Sequence, residues 1–478
     1  MASVALPRAA AGSRQNPSAQ SLAAAIAELA ARFGERCVTS EALRRQHAHN
    51  LTYHEAQLPD GVIFARTAED ISETVKICAA HRVPIVPFGA GTSVEGHVNA
   101  PFGGISLDLS QMNGVLAVSP EDGTCVVEPG ITRIELNDHL RSYGLFFPVD
   151  PGANATIGGM VATRASGTAA VRYGTMRENV LALKAVVADG SVVEAGRAVR
   201  KSSSGYDLSH LFVGSEGTLG VISEVSLRVF PAPEAILAGY CHFETIESAC
   251  DAAVYALQLG IPLARVELLD ERQIEAANAY SKLELDLAPH LFIEFNGTAD
   301  GVQLQRRQFE EAASEFGGKG YSWATRTEER NALWTARHNV YWANASYRPG
   351  TKPITTDLCV PISRLSGIIQ RTKHKIIKSG LVGMIVAHVG DGNFHVQFMV
   401  DYDSDERERT FALIADMTHD ALAIGGTCTG EHGIGQGKIK YMLEEHGSAA
   451  IAVMHTLKRA LDPHNIFNPG KILLGEAP

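Results

Sequence analysis

Residues 84–96 read PIVPFGAGTSVEG. Pro84, Ile85 and Val86 are a short apolar run of the kind that ends a buried strand. Gly89, Ala90, Gly91, Thr92 and Ser93 follow as a loop with almost no side-chain volume. Glycine removes the Cβ and tolerates φ > 0, so backbone N–H groups in such a loop can approach a diphosphate closely. No Lys-Ser/Thr follows the last glycine, so this is not a P-loop, and it is not G-x-G-x-x-G opening a helix. A tight turn and a cofactor cradle both fit this stretch alone.

Downstream stretches add to it. Residues 150–167 read DPGANATIGGMVATRASG, with a turn at Pro151-Gly152 and a helix over 157–165 that starts at Gly158-Gly159. That helix start suits a phosphate or an electron-rich ring edge. Close packing of a helix on a sheet would select the same small residues. Residues 213–220, VGSEGTLG, form a fourth small-residue loop before a strand over 221–230. Four such loops suit a long cofactor with a diphosphate and two ring systems. A nicotinamide cofactor would need one βαβ fingerprint, and none is present.

The 478 residues suffice for two or more domains, and 45% apolar with 20% charged residues fits a globular protein with a full core. A net charge of −11 argues against a nucleic-acid partner. Seven scattered cysteines with no CxxC point to reduced thiols in a cytoplasmic-type compartment. No apolar run reaches membrane-span length. Residues 1–17 read as a loose tail or as an organellar presequence.

Leu22, Ile26, Leu29 and Phe33 recur at helical spacing, with Gly34 as the stop. The pattern predicts helices over 68–80 and 131–142, a strand over 105–109, and a hairpin of 115–118 with 125–128. Asp189-Gly190 predicts a two-residue hairpin turn. From 236 to 325, strands (236–243, 264–268, 290–296, 321–325) alternate with helices (246–259, 271–280, 303–316). This predicts an antiparallel sheet with helices on one face.

The stretch from Pro84 through Pro231 resembles the FAD-binding domain of the vanillyl-alcohol oxidase/p-cresol methylhydroxylase superfamily. ASGTAAVRYGTMRENVL (165–181) and SHLFVGSEGTLG (209–220) are similar to the cytochrome-type D-lactate dehydrogenase branch. So are RVELLDE (265–271), LWTARHNVYW (333–342), DLCVPISRL (357–365), HVGDGNFHV (388–396), GTCTGEHGIGQGK (426–438) and DPHNIFNPGKIL (462–473). The resemblance implies an α+β fold: a p-cresol-methylhydroxylase-type FAD-binding domain of two subdomains under a ferredoxin-like cap. The divisions are 1–55 for tail and helices, 56–233 for the FAD domain, 234–424 for the cap, and 425–478 for a segment returning to the FAD domain. It implies FAD contacts from Pro87, Gly89, Ala90, Gly91, Thr92, Ser93, Gly96, Pro151, Gly152, Ala153, Thr156, Gly158, Gly159 and Ala162. Ser166, Gly167, Tyr173, Gly174, Glu216, Gly217, Gly220, Ile222 and Asn468 complete that set. His97 does not stand in an RxGGH-type pattern, so the FAD is expected to be non-covalent.

Asp391-Gly392 reads as a two-residue hairpin turn, which sets His388 opposite His395 on one sheet face, with Val389 and Phe394 in the core. Two apposed imidazoles suit a shared metal ion; a pair satisfied by backbone carbonyls is the alternative. Glu431, between glycines in GEHGIGQG, is the third candidate ligand. Two His and one carboxylate suit zinc, manganese or iron and leave positions open for substrate. The resemblance assigns the same three residues. His432 is the candidate base. Arg337 is the candidate partner of a substrate carboxylate, an ion pair with Glu328 or Glu329 being the alternative. Lys352 is a second cationic candidate, and Tyr341, Trp342 and Trp323 are either pocket walls or core. The expected activity is oxidation of D-lactate or a related D-2-hydroxy acid, with electrons leaving to a cytochrome, quinone or electron-transfer flavoprotein. A D-2-hydroxyglutarate dehydrogenase, a glycolate oxidase FAD subunit and an alkyl-glycerone-phosphate synthase are the alternatives. A homodimer is expected, cytoplasmic or, as the alternative, peripheral to the inner membrane, and mitochondrial in a eukaryote.

Overall fold

The computed structural model describes residues 16–49 and 51–473; the presequence-like stretch 1–17 lies almost wholly outside them. The first sheet has strands Cys37–Val38, Gly61–Phe64, Ile105–Asp108 and Ile85–Phe88 in that spatial order. The last three are parallel. The Ala68–His81 helix makes one crossover, capped by Thr67, whose hydroxyl accepts from Asp70 N. It packs with Ala19–Phe33 over Ile63, Ile85, Ile105 and Leu107. Ile466 and Phe467 complete this core from the far end of the chain.

The second sheet is antiparallel, in the order Val115–Ser119, Thr124–Val127, Val221–Arg228, Val180–Val186 and Val192–Gly196. Its core is covered by the Arg133–Leu140 and Ile157–Thr163 helices. A capping box between Thr132 and Glu135 starts the first of these.

The third sheet runs Lys319–Ala324, Ala235–His242, His290–Gly297, Leu263–Leu269, Gly383–His388, Asn393–Val400 and Lys352–Thr355, with Leu358–Cys359 also paired to Asn393–Val400. Helices Ile246–Gln258, Ala299–Ser314, Leu365–Ser379 and Glu406–Ala423 cover one face. The expectation of helices on one face only is corrected. Ile274, Trp334 and Val340, from Glu271–Ser281, Thr327–His338 and Val340–Tyr347, pack on the other face against Ala238, Leu269, Phe292 and Val386. The strands explain it: seven of the eight residues of His290–Gly297 are buried, so both faces need cover.

Both Asp-Gly hairpins are wider than the expected two-residue turns. Val186 pairs with Val192 and Val187 N donates to Ser191 O, leaving a three-residue loop. His388 pairs with Asn393, leaving Val389, Gly390, Asp391 and Gly392 in the turn. A type I′ turn needs φ > 0 at both central residues, and here only Gly190 (+82°) and Gly392 (+78°) have it. His388 and His395 are therefore diagonal neighbours rather than directly opposite, since His395 pairs with Val386. The displacement is two residues, so with side chains alternating they still share a face. Val389 and Phe394 are fully buried in the core beneath.

Two outcomes follow from the cap. Gly392→Ala forces φ of +78° on a Cβ that collides with the Val360 carbonyl. It should lower stability by about 1–3 kcal/mol, read as a lower melting midpoint. Gly317→Ala, with φ of +79° and open space around it, should cost less. Buried Asp270 caps the Glu271–Ser281 helix, and burial pushes its carboxyl up from 3.8 to about 7. Between those values the folded chain keeps a proton that the unfolded chain releases, so this group's contribution to stability falls as pH rises from about 4 to about 7. Asp270→Asn, which keeps the cap, should show a flatter dependence of melting midpoint on pH across that window.

Candidate active site

A cavity of about 520 Å³ runs from the loops of the first two sheets to the face of the third that carries the Thr327–His338 and Val340–Tyr347 helices. The residues expected at FAD from the sequence line it, with Gly96, Tyr173 and Gly174 as the exceptions. Gly96 (φ +76°) instead packs against Gln436 and His54. The Tyr173 ring sits on Phe146 and Phe230, with Gly174 ending its short helix. Several of the lining glycines have no room for a Cβ. A Cβ on Gly89 would collide with the Thr156 hydroxyl, one on Gly158 would lie 2.6 Å from Pro129 Cβ, and one on Gly167 would lie 2.5 Å from Asp150. Such a cradle admits a flat, extended cofactor against its backbone.

The start of the Ile157–Thr163 helix serves packing. Ile157 N donates to Ile131 O, Gly158 N to Pro129 O, and Gly159 N to the Thr156 hydroxyl. These N–H groups are not free for a phosphate, which corrects that expectation. Glu216 and Asn468 line the cavity while their side chains serve the protein. Glu216, at φ +52°, accepts from Ile434 N (2.6 Å) and Gly435 N (2.8 Å) and lies 3.1 Å from His97 Nε2. Asn468 Nδ2 donates to His97 O and Glu216 O.

At the cap end the His388 and His395 ring centroids are 5.4 Å apart. Their Nε2 atoms lie 3.3 and 3.2 Å from the same oxygen, Glu431 Oε1. Each Nδ1 is occupied from behind: His388 by Glu267 Oε1 at 2.7 Å, His395 by Thr356 O at 2.9 Å. A ring that donates through Nδ1 presents a lone pair at Nε2. Two ring nitrogens and a carboxylate oxygen thus converge on one point, a donor set that could hold a metal ion. These three ligand atoms lie within 4.8 Å of one another. Burial would push His388 down, but Glu267 and Glu431 hold it well above its ordinary value, so the ring carries a second proton, at Nε2, that a metal ion would displace.

The His432 ring stacks on His395 at 5.0 Å. Desolvation, with His395 and Lys438 adding to it against the opposing pull of Asp357, pushes His432 down to about 4. It is held in place by Asp357, a fully buried carboxylate whose Oδ2 accepts from Glu431 N (2.9 Å), His432 N (2.8 Å) and the Thr429 hydroxyl (2.7 Å). Arg337 is buried and lines the cavity. It pairs with neither Glu328 nor Glu329. Its Nε donates to Glu267 Oε2 at 2.9 Å, its Nη2 contacts the same oxygen, and Nη1 has no hydrogen-bond partner among the described residues.

Lys352 is not at this site. It is exposed, with its ammonium 4.9 Å from the Tyr402 ring. Strand alternation explains this, because Thr355, three residues on and facing oppositely, lines the cavity. Tyr341 and Trp342 line it as well, whereas Trp323 packs against Phe295 on the helical face. Sequence reasoning missed Glu267 and Asp357. The available signal was an acid set among apolar residues: Glu267 beside Val266, Leu268 and Leu269, and Asp357 just before Leu358–Cys359.

Residues 59–196 match the model of a FAD binding domain, and residues 232–472, half of the chain, match that of FAD linked oxidases, C-terminal domain. The chain is 48% identical over 436 residues to a probable mitochondrial D-lactate dehydrogenase of Danio rerio, covering 90% of this chain and 88% of that protein. It is 46% identical to a mitochondrial D-lactate dehydrogenase [cytochrome] of Arabidopsis thaliana, covering 88% and 75%. The structure of p-cresol methylhydroxylase with substrate bound superposes with a TM-score of 0.78 at 18% identity, covering 95% of this chain and 97% of that one. The glycine cradle is thus the FAD-binding half of a shared architecture, the sheet that carries the histidines is its other half, and this chain belongs to the family of FAD-linked oxidases.

Proposed function

We propose that this protein is an FAD-dependent dehydrogenase that oxidises D-lactate, or a closely related D-2-hydroxy monocarboxylic acid, to the 2-oxo acid and passes the electrons to an external acceptor. The observation that carries the reading is the convergence of His388, His395 and Glu431 in the cavity that the glycine loops line. The names of the relatives support the substrate and the acceptor. FAD, when bound, supplies the acceptor for the hydride that leaves C2. A divalent cation, zinc, manganese or iron by its donor set, would be held by His388 Nε2, His395 Nε2 and Glu431 and would supply Lewis-acid polarisation of the substrate hydroxyl.

The remaining work falls to side chains. Arg337 offers Nη1 to the substrate carboxylate while Glu267 holds its other edge. His432, neutral because its cavity lowers its pKa, takes the hydroxyl proton on a ring nitrogen as the hydride departs. The Asp357 hydrogen bonds fix the position of that ring. Among the described lining residues Arg337 is the one arginine or lysine. A dicarboxylate such as 2-hydroxyglutarate, or a phosphorylated substrate, would leave its second anionic group without a cation here. That observation favours lactate over these alternatives.

Mixed anaerobically with the metal-loaded enzyme, D-lactate should bleach the visible flavin band, while L-lactate and D-2-hydroxyglutarate should bleach it far more slowly. A band that survives D-lactate overturns the reading. His388→Ala should keep its FAD and lose roughly 10²-fold or more in turnover; turnover near the wild-type rate would remove the cation from the mechanism.

A further inference from the structure

Glu267 lies inside the Leu263–Leu269 strand with no exposed surface. Its neighbours Val266 and Leu268 point into the helical layer, so Glu267 projects from the opposite face, the one that bears the cavity. A carboxylate so placed is costly unless both oxygens are engaged. Both are, and with different halves of the site. Oε1 accepts from His388 Nδ1 at 2.7 Å, and Oε2 accepts from Arg337 Nε at 2.9 Å.

We propose that Glu267 is a positioning residue that couples cation capture to recognition of the substrate carboxylate, by fixing His388 through one oxygen and Arg337 through the other. The inference rests on the proposed roles of His388 and Arg337. The physical argument is the rigidity of the carboxylate group. The separation of its two oxygens is fixed, so a ring and a guanidinium bonded to them cannot shift independently. The contact to Nδ1 selects the His388 tautomer whose lone pair sits on Nε2, facing Glu431. The contact to Arg337 occupies the Nε edge and leaves Nη1 for an incoming anion.

Glutamine at 267 cannot serve both partners, and with its charge gone it holds neither as tightly. Its oxygen accepts one N–H, and its amide nitrogen then faces a second donor. If that donor is His388, the ring is driven to the other tautomer and Nε2 no longer has a lone pair. If it is Arg337, the guanidinium loses its anchor. Either orientation perturbs the second partner through the shared amide. Aspartate keeps the charge and both acceptors but is one methylene too short to hold both distances.

The test compares wild type, Glu267→Gln and Glu267→Asp as full-length FAD-loaded enzymes. Flavin-to-protein absorbance ratio and melting midpoint establish that each is folded. Affinity for Mn²⁺ and Zn²⁺ is measured by equilibrium dialysis with metal analysis, and D-lactate KM and kcat are measured at saturating metal. Glu267→Gln should retain FAD, bind Mn²⁺ and Zn²⁺ roughly 10–100-fold more weakly, and still show a KM for D-lactate raised about tenfold or more once metal is saturating. Glu267→Asp should move both readouts in the same direction by less, and it carries the same criteria if the glutamine variant does not fold. A variant that moves only metal affinity, only KM, or neither overturns the coupling. A wild-type enzyme that binds neither ion, or keeps full turnover after chelation, overturns the metal part of the proposed function itself, whatever the variants do.

Discussion

Two buried carboxylates, one from each half of the molecule, grip the same short loop. Asp357 from the cap takes the amides of Glu431 and His432, and Glu216 from the cofactor side takes those of Ile434 and Gly435. Desolvation would raise both acids, yet charged and N–H partners keep each below its ordinary value: Lys438 and the histidines for Asp357, His97 first for Glu216. Hydrogen bonds to a charged acceptor contribute about 1.5–3 kcal/mol each, and removing either acid would also strand buried donors. The loop that carries a metal-ligand candidate and the base candidate is thereby referenced to the flavin cradle and to the histidine sheet at once.

The rest of the site is arranged around that reference. The histidine hairpin reaches it from one side, and Glu431 Oε1 meets both rings. Arg337 comes from a helix on the cavity face of the sheet, the layer that the strand pattern alone did not call for. An enzyme that must align an alcohol, a proton acceptor and a ring to within a fraction of an ångström benefits when those groups are bonded to one another through rigid acids rather than held by separate loops.

Much of this was legible in the chain. Helical spacing at Leu22, Ile26, Leu29 and Phe33 placed the first helix, and Gly34 ended it. The alternation from 236 to 325 gave the cap its strands. The hairpin register differs from the expected one because a type I′ turn needs φ > 0 at both residues of the Asp-Gly pair and only the glycine has it, yet the offset is even-numbered and the two imidazoles keep their common face. Lys352 is the other departure: it stands three residues from Thr355 in one strand, so alternation turns it away from the cavity that Thr355 lines. Glu267 and Asp357 were invisible because their partners are remote, His388 being 121 positions from Glu267 and His432 75 from Asp357. Local pattern tells that a buried acid needs a partner, and not which one.

Residues 466–468 bind the first sheet from a great distance along the chain. Ile85 N donates to Ile466 O, Asn468 N donates to Ile85 O, and the Asn468 side chain reaches His97 O, 371 positions upstream. The edge of the Ile85–Phe88 strand is therefore finished by residues about 380 positions away. Loss of residues 466–468 would remove the edge partner of Ile85 and both Asn468 amide bonds together, so the flavin seat and the first sheet share one dependence on a remote stretch of chain.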